Sequence, residues 1–133
     1  MALTKKLADF SRALDRLNES FQKAKEHKDD EEFSFFRDST IQRFEFTLEI
    51  AWKCIKSYLY ETEGIECRSP KSCIREFAPI AQLSPEETIE LLGMIDDRNL
   101  ATHTYHESLA DEIYRRIGAY LDLLHRIRQR LCA

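Results

Sequence analysis

An arginine and a histidine five positions apart are the residues of this sequence best suited to chemistry. Arg98 and His103 lie in a stretch of twelve residues, 96–107, that also holds an asparagine, a second histidine, a tyrosine and three acids. An arginine can donate two parallel hydrogen bonds to phosphate oxygens, and a histidine can accept or release a proton near neutral pH. RNA supplies its own nucleophile, the 2′-hydroxyl, so this pair could cleave RNA without a metal. The same spacing also fits a plain cluster of charges at a helix end.

Helical spacing divides the polar side chains of this stretch into two stripes. One stripe, at 3-4-3 spacing, consists of Asp96, Asn99, His103 and His106. The neighbouring stripe continues from the apolar Leu91, Met94 and Ile95 and consists of Arg98, Thr102 and Tyr105. A helix whose inward face changes from apolar to polar gives up packing stability, which indicates a functional purpose.

Composition predicts an all-α chain of 133 residues that folds as one domain, 1–133. There are three glycines, three prolines and no valine, and no alternating β-branched run suggests a strand. The formal charge of −4 weighs against tight binding to duplex nucleic acid. We found neither a secretion signal nor an apolar run long enough to span a membrane, so we expect a cytoplasmic protein without membrane contact.

The cysteines give no pattern of metal binding or disulfide bonding. They are Cys54, Cys67, Cys73 and Cys132. None forms a C-x-x-C pair, and none has a histidine at zinc-finger spacing. We therefore expect reduced packing residues, and no metal or cofactor.

Apolar seams and capping signals predict an antiparallel four-helix bundle with a short extra helix. Ser69–Pro70 and Ser84–Pro85 are start signals, Gly64 is a left-handed cap, and Pro79 is expected to close the extra helix. The predicted helices cover 4–25, 32–63, 70–77, 85 into the stretch 96–107, and 107 or 108 to the C-terminus. The arginines of the last helix (115, 116, 126, 128 and 130) fit either exposed helix charge or an RNA path.

Two blocks of sequence resemble a known family. The pattern Arg98-x4-His103-x-Tyr105 is similar to the R-x4-H-x-Y signature of the HEPN superfamily of helical ribonucleases. Residues 41–53 and 96–105 resemble the nucleotidyltransferase substrate-binding proteins, which overlap the HepT toxins of HepT–MntA toxin–antitoxin pairs. The resemblance extends over nearly the whole chain, in the order and length of its helices.

The resemblance implies a homodimer in which the two motifs share one cleft. By the same resemblance Arg98 would hold the scissile phosphate and His103 would act as general base or acid. Asp96 and Asn99 would orient this pair, and no metal or cofactor would be required. Since Arg98 and His103 point about 140° apart on a regular helix, we expect either a bend at Arg98 or convergence only across the dimer.

The resemblance also implies a partner, a small MntA-like nucleotidyltransferase antitoxin that attaches AMP to Tyr105. A bulky anion so close to His103 would block the cleft. Without the family, Tyr105 would be interpreted as an interface tyrosine that only packs and hydrogen-bonds. The family commonly has an acid or asparagine where this chain has His106, which could add a titrating group or simply be solvated. Residues Arg43, Glu45 and Glu49 of the second helix would support the site structurally.

Three functions remain open on the sequence. The first is a metal-independent endoribonuclease toxin that cleaves RNA by 2′-hydroxyl attack. The second is a non-catalytic substrate-binding or regulatory subunit of a two-component nucleotidyltransferase, which the negative net charge fits slightly better. The third is a structural helical dimer with a vestigial motif. The intact set of Arg98, His103 and Tyr105 favours the first.

Overall fold

The architecture is a bundle of long helices, as seen in a computed structural model that describes residues 2–104 and 106–132. The helices are α1 (Ala2–Glu26), α2 (Phe33–Glu63), α3 (Pro70–Ile80), α4 (Pro85–His103) and α5 (Glu107–Cys132). The described residues contain no strand, so the predicted all-α class with a short extra helix, α3, is confirmed. No helix in these ranges combines the length and apolar character that a membrane span needs.

Side-chain contacts between consecutive long helices show that they run antiparallel. Near one end of the bundle Lys6 Nζ donates to Ser57 Oγ (3.0 Å), and further along Thr47 Oγ1 donates to the carbonyl of Ala13 (3.3 Å). The start of α4 likewise meets the later part of α5, where Arg126 Nε lies 3.1 Å from a Glu87 carboxylate oxygen. The four long helices therefore run up, down, up and down, with α3 in the connection between α2 and α4.

The core lies where the predicted seams meet. The aromatic ring of Phe44 stacks on that of Tyr120 with centroids 5.6 Å apart, which joins α2 to α5 at the centre. The same core holds fully buried apolar side chains of α1, α2 and α5, namely Phe10, Leu14, Leu17, Leu48, Ile55, Ile113, Ile117 and Leu124. Each contributes about 1.5–3 kcal/mol by leaving water, so packing rather than helix propensity holds the bundle together.

The helix ends follow their capping residues, with one exception. Ser84 and Glu87 form the predicted capping box, in which the Ser84 hydroxyl accepts from Glu87 N–H (3.0 Å) and Glu87 accepts from Ser84 N–H (2.9 Å). Gly64 ends α2 with φ +69°, as predicted. However, α3 continues through Pro79 to Ile80. A proline in the last turn removes only one helical hydrogen bond, so it does not stop the helix there.

The prediction that all the cysteines are reduced is wrong for two of them. Cys67 and Cys73 form a disulfide, while Cys54 is free and buried and Cys132 is free and exposed. The chain turns back on itself before α3, which brings the Cα atoms of Cys67 and Cys73 to 5.2 Å, within the range that a disulfide spans. Sequence spacing alone did not indicate this turn.

A buried arginine fastens the beginning of α5 to α2. Arg37 is 3% exposed, and its guanidinium lies 2.8–3.0 Å from carboxylate oxygens of Asp38, Glu107 and Asp111. Burying a guanidinium is costly unless carboxylates surround it, and here three of them do. This cluster fixes where the chain resumes after the end of α4.

The disulfide predicts a stability that depends on reductant. Closing a loop of this length restricts the unfolded chain, so reduction should lower the free energy of unfolding by about 2 kcal/mol. Urea denaturation with and without dithiothreitol measures this difference. The double variant Cys67→Ala/Cys73→Ala should show the lower value in both buffers, whereas Cys132→Ala should keep the response to reductant. Equal unfolding midpoints of the wild-type protein in both buffers would contradict the bond.

Candidate active site

Arg98 is held in place by an acid of the neighbouring helix. Its Nη2 lies 2.7 Å from Glu49 Oε2, and the Arg98 side chain keeps 30% exposure. Glu49 also accepts from Trp52 Nε1 and pairs with Lys53 Nζ, each at 3.1 Å. Burial opposes ionisation of Glu49, but the bonds from Trp52 and Lys53 and the charge of Arg98 outweigh it and lower its pKa. The guanidinium is therefore oriented before any ligand arrives.

One turn further along α4, a second contact reaches α2. Thr102 Oγ1 lies 3.4 Å from Glu45 Oε2 and donates at 2.9 Å to the carbonyl of Arg98. Burial raises the pKa of Glu45, and the Thr102 hydroxyl and the Arg98 charge only partly offset this. The predicted stripe of Arg98 and Thr102 thus faces Glu45 and Glu49, which contact the motif directly.

His103, the last residue of α4, is exposed and lies in a shallow depression of about 460 Å³. The depression is also lined by Asp96, Asn99, Leu100 and Thr104. Asp96 points to α3, where its carboxylate pairs with Lys71 Nζ at 2.6 Å. Asn99 Oδ1 accepts from Arg98 Nη1 at 3.3 Å and so links the depression to the arginine.

The structure brings some of the predicted site residues together and separates others. Asp96, Asn99 and His103 share the depression, whereas Arg98 faces α2 and His106 lines a different groove beside α2. Helix α4 runs unbroken through Arg98, so on regular helical geometry the Arg98 and His103 side chains leave it about 140° apart. Tyr105 lies outside the described residues.

Sequence reasoning missed a buried carboxylate directly before the arginine. Asp97 is 6% exposed and accepts two hydrogen bonds from Arg116, Nε to Oδ2 and Nη2 to Oδ1, each 2.8 Å long. The Tyr120 hydroxyl donates to the same Oδ2. The bonds to Asp97 raise the pKa of Arg116, and burial together with Asp97 raises that of Tyr120. This cluster locks the rotation of α4 against α5.

A weak signal for this cluster was present in the sequence. Asp97 follows the buried Met94 by three positions, and Arg116 and Tyr120 are four apart on one face of α5. An acid at a core position needs such partners. Two further arginines of α5 also make structural contacts. Arg126 pairs with Glu87, and Arg130 donates to the carbonyl of Ala81.

The described residues offer no metal site. Within residues 2–104 and 106–132 no three His, Cys, Asp or Glu side chains are grouped to hold a metal ion. What the site does offer is a pre-oriented guanidinium, an exposed imidazole and an amide between them. These groups can bind an anionic oxygen and transfer a proton.

Comparison with protein families identifies the family of this chain. Residues 5–133 match the family described as nucleotidyltransferase substrate binding protein like. The chain belongs to this family. No curated protein sequence gave a significant match.

Solved structures share the fold of this chain. A crystal structure from Thermus thermophilus is 41% identical, with a TM-score of 0.72 over 86% of this chain and 98% of that one. The tri-AMPylated Shewanella oneidensis HEPN toxin in complex with an MNT antitoxin has a TM-score of 0.76 at 17% identity, over 97% of this chain and 95% of that one. A toxin–antitoxin structure with AMP-PNP gives 0.76 at 16% identity, over 97% and 96%. The family resemblance and the HEPN-like fold are thereby confirmed.

The neighbouring carboxylates Asp96 and Asp97 should differ sharply in their effect on stability. Asp97→Asn should lower the free energy of unfolding by about 2 kcal/mol or more, because it leaves a guanidinium without its buried partner. Asp96→Asn removes only an exposed ion pair and should cost less than about 0.5 kcal/mol. Urea denaturation of both variants measures the difference. Similar losses for the two variants would show that Asp97 does not anchor α4.

Proposed function

We propose that this protein is a HepT-like toxin, a metal-independent endoribonuclease of the cytoplasm, neutralised by a nucleotidyltransferase that AMPylates Tyr105. One observation carries the proposal: the last turns of α4 present an oriented Arg98, an Asn99 that contacts it and an exposed His103. Membership of the family and the fold shared with a HEPN toxin support it.

The proposed reaction needs only these side chains and the RNA. His103 removes the proton of a 2′-hydroxyl, and the freed oxygen attacks the adjacent phosphorus. The bond from phosphorus to the 5′-oxygen breaks, which leaves a 2′,3′-cyclic phosphate on one product. The departing 5′-oxygen takes a proton from the protonated side chain of a His103 and becomes a hydroxyl. Arg98 balances the negative charge that gathers on the phosphoryl oxygens.

A homodimer is part of the proposal because one chain does not complete the site. Arg98 and His103 diverge along an unbroken α4, so a phosphate would meet the arginine of one copy and the histidine of the other. Two large apolar side chains are left in solvent, Leu100 of the motif at 45% exposure and Phe46, which lines a groove together with Glu49, at 58%. A second copy covering them would bury apolar surface and bring the motifs face to face.

The proposed partner is an MNT-type nucleotidyltransferase, because the Shewanella oneidensis HEPN toxin is in complex with an MNT antitoxin. It would transfer AMP from ATP to the Tyr105 hydroxyl and release pyrophosphate. The added phosphate would bring a negative charge to the cleft and repel the RNA backbone.

A second function, the non-catalytic substrate-binding subunit, is favoured by one observation. The chain carries a net charge of −4, and an RNA-binding protein usually carries excess positive charge. In that case the motif would serve only to present a substrate to the nucleotidyltransferase.

Cleavage of RNA in EDTA tests the proposed reaction. The purified protein, shown by mass to be free of AMP, should cut tRNA or mRNA and leave 2′,3′-cyclic phosphate ends. His103→Ala and Arg98→Ala should each lower the rate at least about 100-fold, because each removes a proton carrier or a charge partner of the transition state. His125→Ala, an exposed histidine of α5, is the matched control and should keep full activity. Intact RNA with the wild-type protein would favour the substrate-binding function.

Mixed dimers extend this experiment to the shared cleft. When Arg98→Ala and His103→Ala subunits are refolded together, the mixed dimer regains one complete pair only if Arg98 and His103 act from opposite copies. We expect partial recovery of cleavage on mixing. A mixture as inactive as its components would place the pair within one chain.

Modification by the partner gives a separate readout. Incubation with the nucleotidyltransferase, ATP and Mg²⁺ should add AMP to the wild-type protein and abolish cleavage. Tyr105→Phe lacks the acceptor hydroxyl, so it should gain no mass and stay active in the same mixture. Tyr60→Phe, which alters an exposed tyrosine of α2, should be modified like the wild type. AMP addition to Tyr105→Phe would assign the modification to another residue.

A further inference from the structure

A groove that the proposed reaction does not use lies beside the motif. It has a volume of about 540 Å³ and lies between α2, the end of α4 and the beginning of α5. Its apolar lining comes from Ile41, Ala101, Leu109, Ala110 and Ile113. Its polar lining includes Gln42 and Glu45 of α2 and Thr104 and His106 from the α4–α5 connection. An apolar surface with a few polar groups is the usual make-up of a small-ligand pocket.

The groove adjoins the proposed reaction centre on two sides. Thr104 lines both the groove and the depression that holds His103. On the other side Glu45 Oε2 lies 3.4 Å from Thr102 Oγ1, and the charge of Arg98 acts on its carboxylate. The base of a nucleotide whose phosphate lies at either Arg98 or His103 of this chain can therefore reach the groove.

The charge of the groove determines which part of a nucleotide it can take. The lining includes the carboxylate of Glu45 and that of Asp38, which is paired with Arg37, and no lysine or arginine is among the described lining residues. Such a lining repels a phosphate. An uncharged base fits better, with its faces against the apolar side chains and its polar edge toward Gln42 and Glu45.

The order of donors and acceptors selects one base. Gln42 and Glu45 are three positions apart and share a face of α2, where Gln42 can donate an amide N–H and Glu45 can accept two hydrogen bonds. The Watson–Crick edge of guanine presents an acceptor, O6, followed by two donors, N1–H and N2–H. Adenine, cytosine and uracil each offer a carboxylate only one donor with an acceptor beside it, in either orientation, so one carboxylate oxygen would face an acceptor. Guanine alone offers two adjacent donors.

Resting on the proposed ribonuclease activity, we propose that this groove binds a guanine base next to the scissile phosphate, with Glu45 accepting from N1–H and N2–H and Gln42 donating to O6. Burial of Glu45 strengthens such bonds, because water competes less for its carboxylate. The protein would then cut single-stranded RNA beside guanosine.

Binding of short RNAs tests the groove without relying on cleavage. Labelled uridine hexamers with one central guanosine, inosine or 7-deazaguanosine are titrated into the His103→Ala protein and followed by fluorescence anisotropy. Inosine lacks the N2 amine and should bind about tenfold more weakly, whereas 7-deazaguanosine keeps the Watson–Crick edge and should bind like guanosine. Equal affinity for guanosine and inosine would overturn the proposal. That result is expected if a protein segment, rather than a base, fills the groove.

Variants in the His103→Ala background assign the preference to residues. Glu45→Gln should reduce the guanosine-to-inosine ratio to near one. Gln42→Glu, at an exposed position, should weaken guanosine binding by placing a carboxylate against O6. Glu112→Gln, an exposed α5 carboxylate outside the groove lining, should keep the ratio. A guanosine preference that survives both groove variants would place the base elsewhere. If the His103→Ala protein prefers guanosine but the wild-type protein cuts no RNA, the base site in the groove stands and the ribonuclease activity is rejected.

Discussion

The buried carboxylate of Asp97 constrains the structure around the motif more than any other group described. A carboxylate inside a bundle is several kcal/mol unfavourable unless donors surround it. Arg116 and Tyr120 supply those donors from α5, and only one rotation of α4 presents Asp97 to them. Each further residue turns by about 100°, so this rotation also determines where the motif points. Arg98 faces α2, and Asn99 and His103 face the open depression. One core interaction thus sets the direction of every surface group in the site.

Local chemistry explains what could be predicted from the sequence. Serine followed by proline starts α3 and α4, a glycine with positive φ ends α2, and apolar residues at 3-4 spacing become the buried seams. These signals act within one or two turns of chain. The disulfide between Cys67 and Cys73 depends on how a loop folds back. The contact of Asp97 with Arg116 depends on how two distant helices pack. Spacing within one segment could not show either pairing, and for Asp97 it gave only the weak signal of a position three residues after Met94.

The contact between Arg98 and Glu49 raises the question of how a phosphate could displace a carboxylate already in place. Displacement is unnecessary, because a guanidinium has five N–H donors. Nη2 is used by Glu49 and Nη1 by Asn99, in a side chain that remains 30% exposed. A phosphate can take the remaining donors while Glu49 keeps the plane of the guanidinium fixed. Glu49 lowers the net charge that Arg98 offers, so the site gains orientation and loses some electrostatic attraction.

For the ribonuclease proposed above, this loss of electrostatic attraction affects which RNA is bound. A chain of charge −4 gains little from releasing counterions along a phosphate backbone, which is the main source of non-specific affinity. Arginines that could supply such affinity are paired with acids of the fold, as Arg116 is with Asp97 and Arg126 with Glu87. Recognition would then have to come from contacts that distinguish one nucleotide from another. A narrow set of oriented groups, with weak attraction to RNA in general, suits an enzyme that cuts at few positions and leaves most RNA unbound.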